Sequence, residues 1–336
     1  MNQKSCKITA ILFLFVITAS LHAEKMATLT EISQAKMIAV AGEKLYISEP
    51  SGFSVYSLKT FQLLKKVGEK GQGPGEFLIA PLIRFAGDKP IFLDRRQRKI
   101  VFYSNDFQVI KEHRFLFDVF DVIPIGGNYA IFKDIVIKKN IRFCISLFDG
   151  NFKNIKTISK QGNILDSKSG YNYTIRPFYG VQCWLDKIYV VDGRKGFFIE
   201  VFDQNGNFLY KINKKYEKIK TTDIHKKNRY ELLKQYPVFK KFPLSHWKFP
   251  EYLPAIKAFF VIDNKIFVKT YHVKGGKEEY IVMDLKGNEQ KRVFLPFVIM
   301  RFFALKNGKF YYLKDNEISE EWELHVIDIE KAGESR

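Results

Sequence analysis

The side chains with most chemical potential in this chain are cationic, and they come in short runs. Arg95-Arg96-Gln97-Arg98-Lys99, Lys138-Lys139, Gly193-Arg194-Lys195-Gly196 and Lys274-Gly275-Gly276-Lys277 each place two to four positive charges close together. Guanidinium forks and ammonium groups so placed hold carboxylate, sulfate or phosphate oxygens. Residue patterns for bond-making chemistry are missing. His113, His225, His246, His272 and His325 follow neither His-x-His nor His-Glu-x-x-His spacing, so no zinc site is signalled. There is no Gly-x-Ser-x-Gly elbow and no Walker loop. Asp118 and Asp121 can together face a cation, but two carboxylates without further ligands are a thin set. Cys144 and Cys183 form no Cys-x-x-Cys pair and read as small buried hydrophobes on strands. No catalytic residue, metal or cofactor is implied.

The elements that must position these cations repeat. A strand ends in a hydrophobe and a polar residue, turns through Gly or Asn, and restarts: Tyr56-Ser57, Tyr103-Ser104, Phe148-Asp149, Phe202-Asp203, Met283-Asp284 and Ile327-Asp328. Successive spacings are 47, 45, 54, 81 and 44 residues, and the 81 contains an insertion. Asp203-Gln204-Asn205, which superficially resembles a calcium loop, reads as one of these turns. Ahead of each turn lies an aromatic-aliphatic core, as in Leu45-Tyr46-Ile47, Ile91-Phe92-Leu93, Ala130-Ile131-Phe132, Ile188-Tyr189-Val190, Ile266-Phe267-Val268 and Phe310-Tyr311-Tyr312. Four strands per unit at a period near 45 residues predict an all-β, six-bladed β-propeller of four-stranded blades. The sixth unit is one strand short, and Ala27–Ile32 is the segment expected to complete it.

Between the first two units, Gly68-Glu69-Lys70-Gly71-Gln72-Gly73-Pro74-Gly75-Glu76-Phe77 resembles the loop of NHL-repeat proteins that introduces the inner strand of the next blade. Lys187-Ile188-Tyr189-Val190-Val191-Asp192 with Ile199-Glu200-Val201-Phe202-Asp203 looks like the body of the same repeat. As a whole the chain is similar to secreted bacterial six-bladed propellers of the NHL-repeat and TolB-like kind. That resemblance implies a binding module. Calcium-dependent hydrolases and lyases with similar folds keep a metal-dependent reaction in the central channel as the alternative.

Residues 1–23 carry Lys4 and Lys7, an uncharged apolar run from Ile8 to Ala19, and Ala23 ahead of Glu24. This describes a secretory signal peptide, with a retained anchor as the other reading, and leaves one propeller domain over 24–336. No later segment is apolar for long enough to span a membrane. Of the formal net charge of +19, Lys4 and Lys7 account for two, leaving +17. A strongly basic chain invites a nucleic-acid reading. Export to the periplasm or beyond argues against it and points to an anionic glycan, peptide or envelope protein, met by a monomer or a member of an envelope complex.

Loops between second and third strands share a propeller face with the connections between blades. The basic runs lie on those loops, so that face is expected to be positive. Counting back ten positions from most second-strand aromatics places Lys36, Leu82, Asp121, Tyr179, Lys257 and Arg301 at the channel mouth, with Arg84 and Arg176 nearby. Arg95, Arg96, Arg98, Arg194 and Lys195 are the loop candidates. An insertion over about 214–255, between blades four and five, joins the same face. It is expected to be partly helical over Thr222–Tyr236, and His246 and Trp247 are its contact candidates.

Overall fold

The computed structural model describes residues 23–137, 140–160, 175, 177–234, 249–316 and 318–331. Strands rich in β-branched and aromatic residues pair into six antiparallel sheets of four. Blade one comprises β2 (Met37–Ala41), β3 (Lys44–Glu49), β4 (Gly52–Ser57) and β5 (Leu63–Val67). Blade two comprises β6 (Leu82–Ala86), β7 (Lys89–Asp94), β8 (Lys99–Tyr103) and β9 (Val109–Arg114). Blade three follows with β10 (Val119–Ile125), β11 (Asn128–Ile137), β12 (Asn140–Phe148) and β13 (Asn154–Lys160). Blade four is β14 (Tyr179–Trp184), β15 (Lys187–Asp192), β16 (Phe197–Asp203) and β17 (Phe208–Lys214). Blade five is β18 (Ala258–Ile262), β19 (Lys265–Lys274), β20 (Lys277–Asp284) and β21 (Glu289–Pro296). Helix α1 (Asp223–Lys234) lies in the insertion between them.

Blade six takes β22 (Phe303–Lys306), β23 (Lys309–Asn316) and β24 (Glu321–Asp328) from the end of the chain and β1 (Glu24–Leu29) from its beginning. Its outer strand lies three residues earlier than Ala27–Ile32: it ends at Leu29 because the chain turns at Thr30-Glu31, and Ile32 is buried beyond the turn. Buried side chains gather into six clusters, each made by the facing sides of two neighbouring blades. The cluster between blades six and one joins Leu29 and Leu324 to Ile38 and Tyr56. The ring is therefore closed by packing as well as by pairing.

The recurring hydrophobe-polar pair has a physical cause. Each polar residue follows or ends a third strand, and its side chain caps the hairpin. Asp203 Oδ1 accepts from the backbone N–H groups of Asn205 (2.9 Å) and Asn207 (2.7 Å), and Asp284 does the same for Lys286 and Asn288. Ser57 and Ser104 cap with their hydroxyls. Gly206 (φ +73°) and Gly287 (φ +91°) take the left-handed position of this turn. Phe107 (φ +65°) and Phe152 (φ +61°) take it in blades two and three. Packing compensates their strain, with Phe107 against Tyr46 and Phe53 and Phe152 stacked on Tyr129 at 4.6 Å.

The glycine-rich segment between blades one and two is a tightly held plug. Phe77 is fully buried against Phe92, and Asp94 and Lys99 below it have no exposed surface. Lys99 Nζ donates to Gly73 O at 2.8 Å and lies 3.3 Å from Glu112, whose carboxylate accepts from Gly75 N. Asp94 accepts from the backbone N–H groups of Leu78, Arg96 and Gln97. Lys99→Met keeps the aliphatic stem but strands Glu112 and the Gly73 carbonyl, and is expected to cost about 3 kcal/mol. Urea denaturation measures this, and a loss below about 1 kcal/mol would show that the ammonium is dispensable.

At the ring closure, Glu323 accepts from Lys25 Nζ (2.7 Å) and Asn316 Nδ2 (3.1 Å) and lies 2.9 Å from His325 Nε2. These partners, Lys25 foremost, lower its carboxyl to about 2 from an ordinary 4.5. A lowered carboxyl contributes stability that is complete above its unfolded value and lost as pH falls through the folded one. Thermal melts followed by circular dichroism are expected to show a falling midpoint between pH 4.5 and 2. Glu323→Gln should lower the midpoint at pH 7 and flatten that window; an unchanged slope would remove Glu323 as its source.

Candidate functional site

The inner strands begin on the face that carries the blade-to-blade connections. Lys36 directly precedes β2, Tyr179 opens β14, Lys257 directly precedes β18, and Arg301 stands two residues before β22. Arg84 and Asp121 lie inside β6 and β10. Ile38 N donates to Arg301 O at 2.8 Å, tying blade one to blade six at this rim. Lys36, Tyr179, Lys257 and Arg301 thus lie at or just before inner-strand starts, whereas Arg84 and Asp121 lie two residues inside theirs. Arg176, His246 and Trp247 lie outside the described residues, as do Lys138 and Lys139.

The charges at the mouth are not equivalent. Arg84 holds Asp121 through two parallel bonds, Nε to Oδ1 at 2.9 Å and Nη2 to Oδ2 at 2.6 Å. Arg98 holds Asp118 at 2.6 Å. Asp118 and Asp121, which the sequence offered as joint ligands for a cation, are each engaged by a guanidinium. Arg95 lies with its guanidinium 5.0 Å from the Phe120 ring and its Nε buried without a partner. Burial, and then the charge of Arg301, pull the Arg95 guanidinium below its ordinary pKa. Arg96 is exposed, and its backbone rather than its side chain is used by Asp94. The run Arg95–Lys99 is therefore not a uniform patch of exposed charge, since Lys99 is interior and Arg98 is paired.

Lys257 has a partner that the sequence pattern did not reveal. Its ammonium pairs with Glu278, which is 2% exposed and also pairs with the equally buried Lys269. Burial lowers the Lys269 pKa, and Glu278 opposes the shift. The three groups carry one surplus positive charge, which reaches solvent at Lys257. Helix α1 starts at the Thr222 cap, whose hydroxyl lies 2.9 Å from His225 Nδ1. Burial and then the Lys257 charge lower the His225 pKa, which places the first turn of the helix within electrostatic reach of this rim. Leu233 is its buried anchor. The helix ends at Lys234, and the remainder of the expected Thr222–Tyr236 span is outside the described residues.

A cavity of about 280 Å³ opens between the Gly193–Phe197 loop, the end of β17 and the returning limb of the insertion at Tyr252–Ala255. The loop needs glycine at 193, because a Cβ there would come 2.9 Å from the backbone of Phe178. Arg194 clasps Asp192 at 2.9 and 2.7 Å. Burial alone would raise the Asp192 carboxyl, but the Arg194 fork brings it below its ordinary value. Lys195 reaches Glu200 at 3.3 Å and lies over Phe198. The far wall is a short ladder in which Thr221 N donates to Glu251 O and Leu253 N to Ile219 O, both at 2.8 Å. Sequence reasoning found Arg194 and Lys195, and counted Tyr252 among the insertion aromatics beside a pocket, but missed Lys214, Tyr216 and Lys218. Their signal was the interleaving of lysine and tyrosine at both ends of the insertion. Among the described residues, no cluster of three or more His, Cys, Asp or Glu is placed to hold a metal, and Cys144 and Cys183 are free thiols.

The profile of a family described as a 6-bladed beta-propeller (DUF5128) matches residues 20–176. No curated protein matches the chain. Among solved structures, a Bacteroides fragilis protein described as exported is 14% identical, with a TM-score of 0.55, covering 92% of this chain and 96% of its own. A member of the DUF4221 family from Bacteroides vulgatus is 10% identical, with a TM-score of 0.54, covering 92% and 98%. At these identities the likeness is one of fold, and it agrees with the strand order: this chain is a six-bladed β-propeller.

Proposed function

We propose that this propeller is a non-catalytic recognition module of the cell envelope that holds an anionic partner on the face bearing the channel mouth. One observation carries the reading. Arg95 is held over the Phe120 ring with its Nε buried and unpartnered among the described residues and feels the charge of Arg301, while the nearby Asp121 is already occupied by Arg84. Holding like charges together beside a spent carboxylate is unfavourable in the free protein and favourable once an anion arrives. Lys36 and Lys257 extend the same rim. A metal-dependent hydrolase or lyase would need free carboxylates at the channel, and Asp118 and Asp121 are both tied to arginines. For location, we take residues 1–23 as an export signal and 24–336 as the propeller domain, in line with the exported description of the Bacteroides fragilis neighbour.

Dextran sulfate and poly-glutamate serve as sulfated and carboxylated probes. Affinity is expected to fall steeply with salt. The Arg95→Glu/Arg301→Glu double variant should lose on the order of tenfold or more. Lys89→Glu, on the opposite face, should change affinity by less than about twofold. Salt-insensitive binding, or equal losses from both faces, would overturn the assignment.

A further inference from the structure

The cavity beside blade four has a more specific chemistry than the rim. Arg194, Lys195, Lys214 and Lys218 line it, and no acidic residue does so among the described residues. Three of these cations have a carboxylate close by, in Asp192, Glu200 and Glu289. Lys218 has none among the described residues, and its ammonium lies over the Tyr252 ring, 5.6 Å from its centre. Asp192 fixes the Arg194 guanidinium through Nε and Nη2, which leaves Nη1 uncommitted among the described residues.

Two tyrosines, Tyr216 and Tyr252, share the lining, and Tyr252 is 42% exposed. An aromatic face next to an ammonium suits a ligand with an apolar C–H face and an anionic substituent on one ring. At about 280 Å³ the cavity lies at the small end of ligand sites, which fits one ring rather than a chain of them. Extended peptides are commonly held through main-chain hydrogen bonds. Here the insertion limb already pairs its backbone across Ile219–Thr221 and Glu251–Leu253, so recognition falls to side chains.

We propose that this cavity binds a carboxylate-bearing sugar, a single uronic acid unit. Lys218 and the free edge of Arg194 take the carboxylate, and Tyr252 takes the face of the ring. The inference rests on the anionic-partner reading above and adds to it a separate subsite and a ligand class.

Calorimetric titration of the full chain with glucuronate, galacturonate, glucose and tri-glutamate tests it. At least one uronate is expected to saturate, with glucose weaker by about tenfold or more. Tyr252→Ala and Lys218→Gln should each weaken the uronate by about tenfold, whereas Arg95→Glu/Arg301→Glu should leave it within about twofold. Absence of saturable uronate binding, glucose binding as tightly, or tri-glutamate binding more tightly overturns the subsite. So does loss of uronate binding in the mouth variant with Tyr252→Ala unaffected. In each of those cases, retained salt-sensitive binding of dextran sulfate by the unaltered chain leaves the broader reading intact. Loss of dextran sulfate binding with uronate binding kept separates the two in the other direction.

Discussion

Every blade is stabilised by burial against two neighbours, so the whole arrangement depends on the place where the chain must meet itself. That place is the pairing of β1 with β24, where Leu29 faces Trp322 and Glu24 faces Val326. Without β1, blade six would present an open edge and the cluster around Leu324 and Tyr56 would lose Leu29, with Met26 and Ala27 packed against it. The Lys25–Glu323 pair, with His325 and Asn316, joins this seam by charge-assisted bonds between residues almost three hundred positions apart. Such a contact contributes only once the ring is nearly complete.

The same carboxylate chemistry serves two purposes around the ring. On the face of the short hairpins, aspartates and serines cap turns locally, and their partners lie two to four residues ahead. On the opposite face, acids are spent on arginines and lysines from other strands and loops, as in Arg84–Asp121, Arg98–Asp118 and Lys257–Glu278. The local set fixes hairpin geometry. The longer-range set orients cations that would otherwise sample many rotamers, at the cost of part of their charge.

This division explains what was readable in the sequence. Turn caps act over a few residues, so they leave a period, and the period yields the blade count, the strand roles and the face on which the basic loops stand. Tyr56-Ser57 and Ile327-Asp328 are informative for that reason. The state of each cation is set by partners at other separations or depths. Nothing in Arg95-Arg96-Gln97-Arg98-Lys99 announces that Lys99 is sealed beneath the Gly73 carbonyl while Arg96 faces water. Lys257 likewise reads as a free mouth residue until folding brings Glu278 under it. The cavity was partly visible, through Arg194 and Lys195, but its aromatic wall requires the insertion to fold back on itself at Lys220 and Tyr252.

A net charge of +19 is thus a poor measure of what the basic face can do. At physiological salt, exposed charges separated by more than about 8 Å scarcely feel one another, so lysines scattered over a propeller add little to a specific contact. Charges in partly buried settings are screened less and keep their direction. Arg95 over Phe120, Lys257 over Glu278 and Arg194 against Asp192 meet that condition. Their buried partners decide which way each points and how much charge is left over. Under the proposed function, the exposed remainder would govern how fast an anionic partner approaches, and these few held cations, with the tyrosines beside them, would govern which partner stays.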